Sequence, residues 1–220
     1  MRHRLAAAIL AVLVPAAAAP GAEKALPRHV IYLHGRIVQD QQSARPRSER
    51  FGFYELDAIK DALRRRGFSV SGGIRPKAMT ESEAADRVVE DVRGLLGRGV
   101  PPDHVTVVGA SMGGAIALLA SARLQNPDLR FCILGGCLSR SMAELRAGEG
   151  RIPSGHVLSI REASDDVVGE CGTWSAALAS LALRAREIVL TTGRSHGFLY
   201  QPLPEWVEPV VRWANGDETE

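Results

Sequence analysis

One stretch of this chain passes from strand to helix through a single tight turn. His104-Val105-Thr106-Val107-Val108 is β-branched and apolar, the composition of a buried strand. Ala115 to Arg123 is alanine-rich and unbroken, the composition of a helix. Only Gly109-Ala110-Ser111-Met112-Gly113-Gly114 lies between them. A serine at the apex of such a turn takes strained backbone angles, and neighbouring backbone passes so close that a Cβ is hard to place. That accounts for the glycines.

The remaining pattern repeats the alternation. Val30 to Leu33, Phe68 to Ile74, His104 to Val108, Leu129 to Leu134, His156 to Ile160 and Glu187 to Thr191 read as strands. Helical spacing covers Phe51 to Arg66, ending at Gly67, and Glu81 to Leu96, with Thr80 as its cap. It also covers Ser111 to Gln125, Thr173 to Arg186 and Glu205 to Ala214, with a short helix over Ser139 to Ala147. Ile37 to Arg50 reads as irregular. Short strands separated by helices pair in parallel and carry helices on both faces. The expected fold class is therefore α/β: one domain with a mostly parallel sheet of about six strands. Ligands of such sheets bind beyond the carboxyl ends of the strands.

A chain of 220 residues, 45% hydrophobic and 24% charged, is long enough for one domain with a full core. A formal charge of +2 implies no field for nucleic acid or membrane. The N-terminus differs from the rest: basic Met1 to Arg4, apolar Leu5 to Val14, then small Pro15 to Ala22. This is the pattern of a secretory signal peptide over residues 1–22, followed by a domain over 23–220 in the periplasm or outside the cell. The apolar run is too short to span a bilayer, so no stable membrane span is expected after cleavage. Export permits a disulfide. Cys132 sits inside a strand, whereas Cys137 and Cys171 fall just past two consecutive strand ends, so a Cys137–Cys171 bridge is expected. No zinc-ligand spacing is present among the three cysteines.

Gly109-Ala110-Ser111-Met112-Gly113 matches G-x-S-x-G, which between strand and helix is a nucleophile elbow. The turn lifts the hydroxyl above the strand ends and aims the first N–H groups of the helix at a developing oxyanion. Serine is a poor nucleophile at neutral pH and needs a base, itself oriented by a carboxylate. His196 follows the last strand in a loop bounded by Gly193 and Gly197, while His29, His104 and His156 begin strands at the opposite end of the sheet. The acid belongs after the preceding strand, where Asp165 and Asp166 are adjacent and Glu162 lies too close to the strand. The second oxyanion donor belongs after the first strand, at Leu33-His34-Gly35-Arg36.

These residues resemble the α/β-hydrolase family from about Arg28 to Ala214, and within it small secreted bacterial members carrying a Tyr32-Leu33-His34-Gly35-Arg36-Ile37 loop. Asp165-Asp166-Val167-Val168 resembles the family's acid loop with Asp165 as the acid. The His34-Gly35 pair resembles the oxyanion loop of lipases and esterases, although Arg36 follows a single glycine. The resemblance implies a triad of Ser111, Asp165 and His196, a hole made by the Met112 and Arg36 backbone N–H groups, a bend permitted by Gly35 and a structural His34. It implies an acyl-serine intermediate, a small-molecule ester or amide substrate and no metal or organic cofactor. The first two strands of the larger family sheet and a long lid insertion are missing from the pattern. The arginines at 45, 47 and 50 either are solvated or draw an anionic substrate group to the entrance. Phe198, Leu199 and Tyr200 either line an acyl pocket or anchor the last helix. The leading expectation is a secreted carboxylesterase of short or medium acyl esters. A serine peptidase or amidase uses the same triad, and a non-catalytic envelope binding protein uses the same scaffold.

Overall fold

The computed structural model describes residues 26–136, 152–168 and 184–218. Its strands are β1 (His29–Leu33), β2 (Arg47–Ser48), β3 (Gly52–Phe53), β4 (Ser69–Ser71), β5 (Val105–Ala110), β6 (Arg130–Leu134), β7 (His156–Glu162) and β8 (Arg184–Leu190). Its helices, numbered within these residues, are α1 (Arg36–Gln41), α2 (Leu56–Arg64), α3 (Glu81–Gly97), α4 (Met112–Leu124) and α5 (Pro204–Ala214). Six strands form one sheet in the order β4-β1-β5-β6-β7-β8, with every neighbouring pair parallel. This is the expected α/β architecture.

Alternation along each strand divides the core in two. Ile31, Leu33, Val105, Val107, Phe131, Ile133 and Val157 face α3 and α4. Val30, Tyr32, Val108, Ala110, Cys132, Leu134, Leu158 and Ile160 face α2 and α5. Both faces are apolar because both are covered by helices, so the strands read as continuous hydrophobic runs. Burial raises the Cys132 thiol far above its ordinary pKa, which leaves it an inert core side chain. Thr80 caps α3 in a complete capping box with Glu83, each side chain bonding the other's backbone N–H.

Four stretches depart from the sequence expectation. The helix expected from Phe51 starts only at Leu56, because Gly52 takes φ +79° and pairs with Ser48 in the β2–β3 hairpin. The stretch from Ile37 to Arg50, expected to be irregular, holds all but the first residue of α1, whose Val38 and Gln39 are buried. The strand expected over Phe68 to Ile74 shortens to Ser69–Ser71, because Gly72, at φ +104°, turns against the Tyr32 carbonyl. Arg184 to Arg186, expected at the end of a helix, instead open β8 opposite His156 to Leu158. The rest of that helix, the Ser139–Ala147 helix, Cys137, Cys171 and the N-terminal signal segment lie outside the described residues.

Candidate active site

Ser111 stands between the last residue of β5 and the first of α4, at φ 54° and ψ −119°. Its own N–H donates to the Leu134 carbonyl of the neighbouring strand at 2.8 Å, which ties the strained residue to the sheet. A Cβ on Gly109 would overlap the Gly113 carbonyl, and one on Gly113 would overlap the Leu33 carbonyl. A Cβ on Gly114 would come to 2.9 Å from the Ile133 side chain. These glycines let α4 start directly on top of β1, β5 and β6.

The loops after β7 and β8 bring an acid and an imidazole to this hydroxyl. His196 Nε2 lies 3.0 Å from Ser111 Oγ, and His196 Nδ1 lies 2.7 Å from Asp165 Oδ2. The hydroxyl donates to Nε2 while Nδ1–H donates to the carboxylate, so one imidazole tautomer satisfies both contacts. Both side chains are buried, and the other Asp165 oxygen accepts the Val167 N–H at 3.0 Å. Asp166 points elsewhere. It accepts the Ser195 hydroxyl at 2.7 Å and both of its oxygens bond Arg50. Arg50 first, then Ser195, holds the Asp166 carboxyl down to a pKa of about 2.

Met112 and Arg36 are the first residues of α4 and α1, and first-turn N–H groups of a helix have no partner within it. The two helix starts flank Ser111: a Cβ on Gly35 would stand 3.5 Å from the Ser111 Cβ. Gly35 itself has φ −71° and ψ 174°, extended backbone open to any residue. The bend expected from the sequence to need a glycine is therefore backbone that any residue adopts, and a Cβ there would make only ordinary contact with Ser111 and Ala110.

His34 is buried beneath this loop, as its structural reading requires. Its Nε2 accepts the Arg75 N–H at 3.0 Å, so Nδ1 carries the proton and donates to the Gly35 carbonyl at 2.9 Å. A trans peptide points its N–H opposite its carbonyl. Holding the Gly35 carbonyl therefore aims the Arg36 N–H. Burial, then the Arg75 charge, lowers the His34 pKa to about 4. Arg75 Nη2 donates to the His34 carbonyl at 2.6 Å and Arg75 Nε to Gln39 Oε1 at 3.0 Å. Burial lowers this guanidinium to a pKa of about 10. The Tyr32 and Tyr54 hydroxyls meet at 2.7 Å below the same loop, and burial raises the Tyr54 phenol to about 12. Sequence reading missed Arg75 and Tyr54, which carry no local motif; Tyr54 fell inside the helix expected from Phe51.

A cavity of about 380 Å³ opens over Ser111 and His196. Ile37, Phe51, Tyr54, Val167, Leu199 and Tyr200 supply its apolar wall. Leu199 and Tyr200 thus serve cavity and core together, whereas Phe198 is fully buried core. Arg45 pairs with Glu55 and covers the Phe53 ring, and Arg50 pairs with Asp166 and covers Phe51. Two of the arginines offered as anion attractors are thus neutralised by the protein's own carboxylates. Among the described residues, no group of three or more His, Cys, Asp or Glu side chains is placed to hold a metal ion, and no helix is long and apolar enough to cross a membrane.

The parallel sheet, its two helical layers and the serine elbow make this an α/β-hydrolase fold. Solved structures agree at the level of fold. Esterase PE8 superposes with a TM-score of 0.58 at 17% identity, covering 86% of this chain and 93% of that one. MGS-M1, an α/β-hydrolase enzyme from a Medee basin deep-sea metagenome library, gives 0.54 at 14% identity, covering 87% and 85%. A puromycin-hydrolyzing peptidase of Mycobacterium tuberculosis gives 0.58 at 18% identity, covering 92% of this chain but 36% of its own. No family model and no curated protein sequence matches the chain.

Proposed function

We propose that this protein is a secreted serine hydrolase, a carboxylesterase of short or medium acyl esters. The observation that carries the reading is the continuous line of contacts from Ser111 through His196 to Asp165, at 3.0 and 2.7 Å, under a partly apolar cavity. His196 Nε2 takes the hydroxyl proton as Ser111 Oγ attacks the ester carbonyl. The Met112 and Arg36 N–H groups stabilise the tetrahedral oxyanion. As the C–O bond of the ester breaks, the imidazolium returns the proton to the departing alcohol. Water, deprotonated by the same imidazole, then cleaves the acyl-serine bond and releases the acid. Asp165 keeps Nδ1 protonated and stabilises the imidazolium throughout. The cavity of about 380 Å³ suits an acyl chain of a few carbons. Export rests on the basic, apolar and small-residue segments of residues 1–22.

A fluorophosphonate probe tests the reading directly. Wild-type protein is expected to be labelled on Ser111 and Ser111→Ala to stay unlabelled. Absence of labelling in folded wild type refutes it. Rates on p-nitrophenyl acetate through octanoate are expected to exceed those on aminoacyl anilides, and the reverse order would assign an amidase.

A further inference from the structure

We propose that Glu162 is a positioning residue, whose buried carboxylate locks the loop carrying Asp165 to the loop carrying His196. The inference rests on the serine-hydrolase reading above. Glu162 is the last residue of β7, three positions before Asp165, and it is 2% exposed. Among the described residues no cation bonds it. Its Oε2 accepts the Thr192 N–H at 2.9 Å and the Thr192 hydroxyl at 2.7 Å. Its Oε1 accepts the Gly193 N–H at 3.3 Å, the Ser164 hydroxyl at 3.2 Å and the Ser164 N–H at 3.4 Å. An anion buried without a cation persists only where hydrogen-bond donors converge on it, and both loops supply them.

The lock extends toward the imidazole. Ser164 Oγ, held by Glu162, accepts the Ser195 N–H at 3.1 Å, and Asp166 accepts the Ser195 hydroxyl. Ser195 directly precedes His196 and sits at φ 50°, a left-handed conformation that a serine does not hold unaided. Both faces of Ser195 are therefore fixed by the acid loop. The groups facing His196 are Asp165 on Nδ1, Ser111 on Nε2 and the Phe51 ring, with Asp166 and its partner Arg50 one residue away through Ser195. Two neutral side chains could bridge two loops, but an acceptor-only carboxylate bonded by donors alone fixes the geometry in one sense.

Glu162→Gln tests this, because an amide NH2 cannot accept the bonds that one carboxylate oxygen now accepts. Burst titration with an activated ester first counts functional sites, so that kcat is expressed per active site. The expected result is a kcat about 10- to 50-fold lower with KM changed less than about threefold. Unchanged kcat per site, with only fewer sites or a lower Tm, would make Glu162 a structural residue and overturn the proposal. If Glu162→Gln does not fold, Thr192→Val decides: it removes the 2.7 Å contact with little change in shape, and kcat per site must again fall with KM little changed. A wild type that shows neither burst nor probe labelling refutes the hydrolase reading, and this proposal falls with it.

Discussion

Asp165 and Asp166 are chain neighbours with the same side chain, yet they occupy different environments. One is buried against an imidazole; the other is exposed and shared between Ser195 and an arginine. Asp165→Asn is expected to lower kcat by roughly 10³- to 10⁴-fold, because the imidazole loses the tautomer that its acid selects. Asp166→Asn is expected to lower it less than about tenfold; steady-state kinetics on one ester compares the two. His34 makes a separate prediction. Its folded pKa, about 4, lies below its ordinary 6.5, so the unfolded chain takes up a proton first as the pH falls. Its contribution to stability is present above pH 6.5 and is lost progressively down to about 4, up to roughly 3 kcal/mol in all. Urea unfolding between pH 7.5 and 4.5 should therefore show a shallower acid decline in His34→Gln than in wild type.

Among the elements, the β5–α4 junction bears the tightest constraint. Gly113 sits where a side chain would collide with the carbonyl of Leu33, a backbone atom that cannot rotate away. To admit a methyl group, α4 would have to lift from β1, and the Ser111 turn with it. Gly113→Ala is expected to cost about 2–4 kcal/mol, a Tm drop of roughly 5–10 °C, and to abolish most esterase activity before unfolding. Calorimetry and kinetics on one sample check both. The α1 helix shows the opposite relation between sequence and structure. Its N-terminus has no side-chain cap, and its place comes from Gln39, which donates to the carbonyls of Pro76, Lys77 and Met79. Helical propensity over so short a span is too weak to read, so packing decides it.

At the scale of the molecule, the sheet ends on the short edge strand β4. Lys60 Nζ donates to the Gly72 carbonyl at 2.6 Å and Arg64 Nη2 to the Val70 carbonyl at 3.4 Å, both from α2. Cationic side chains thus cover carbonyls along an edge that would otherwise accept a further strand. Lys60→Ala with Arg64→Ala is expected to increase concentration-dependent association, measured by light scattering across a dilution series, with secondary structure unchanged. The order of strands also explains where the chemistry lies. Parallel pairing places all strand C-termini on one side, so the loops after β1, β5, β7 and β8 converge there although their residues are far apart in the chain.

Consecutive residues determined the alternation of strand and helix, the serine turn and the order of serine, acid and histidine, because each depends on local periodicity or on backbone crowding within a few positions. Asp165 was already favoured over Asp166 by its resemblance to the family's acid loop, but the separate environment of Asp166 between Ser195 and Arg50, the hold of His34 on Gly35 and the donors gathered around Glu162 were decided only by tertiary structure. Those contacts join residues of separate loops, and their geometry exists only once the sheet has fixed the distances between the loops.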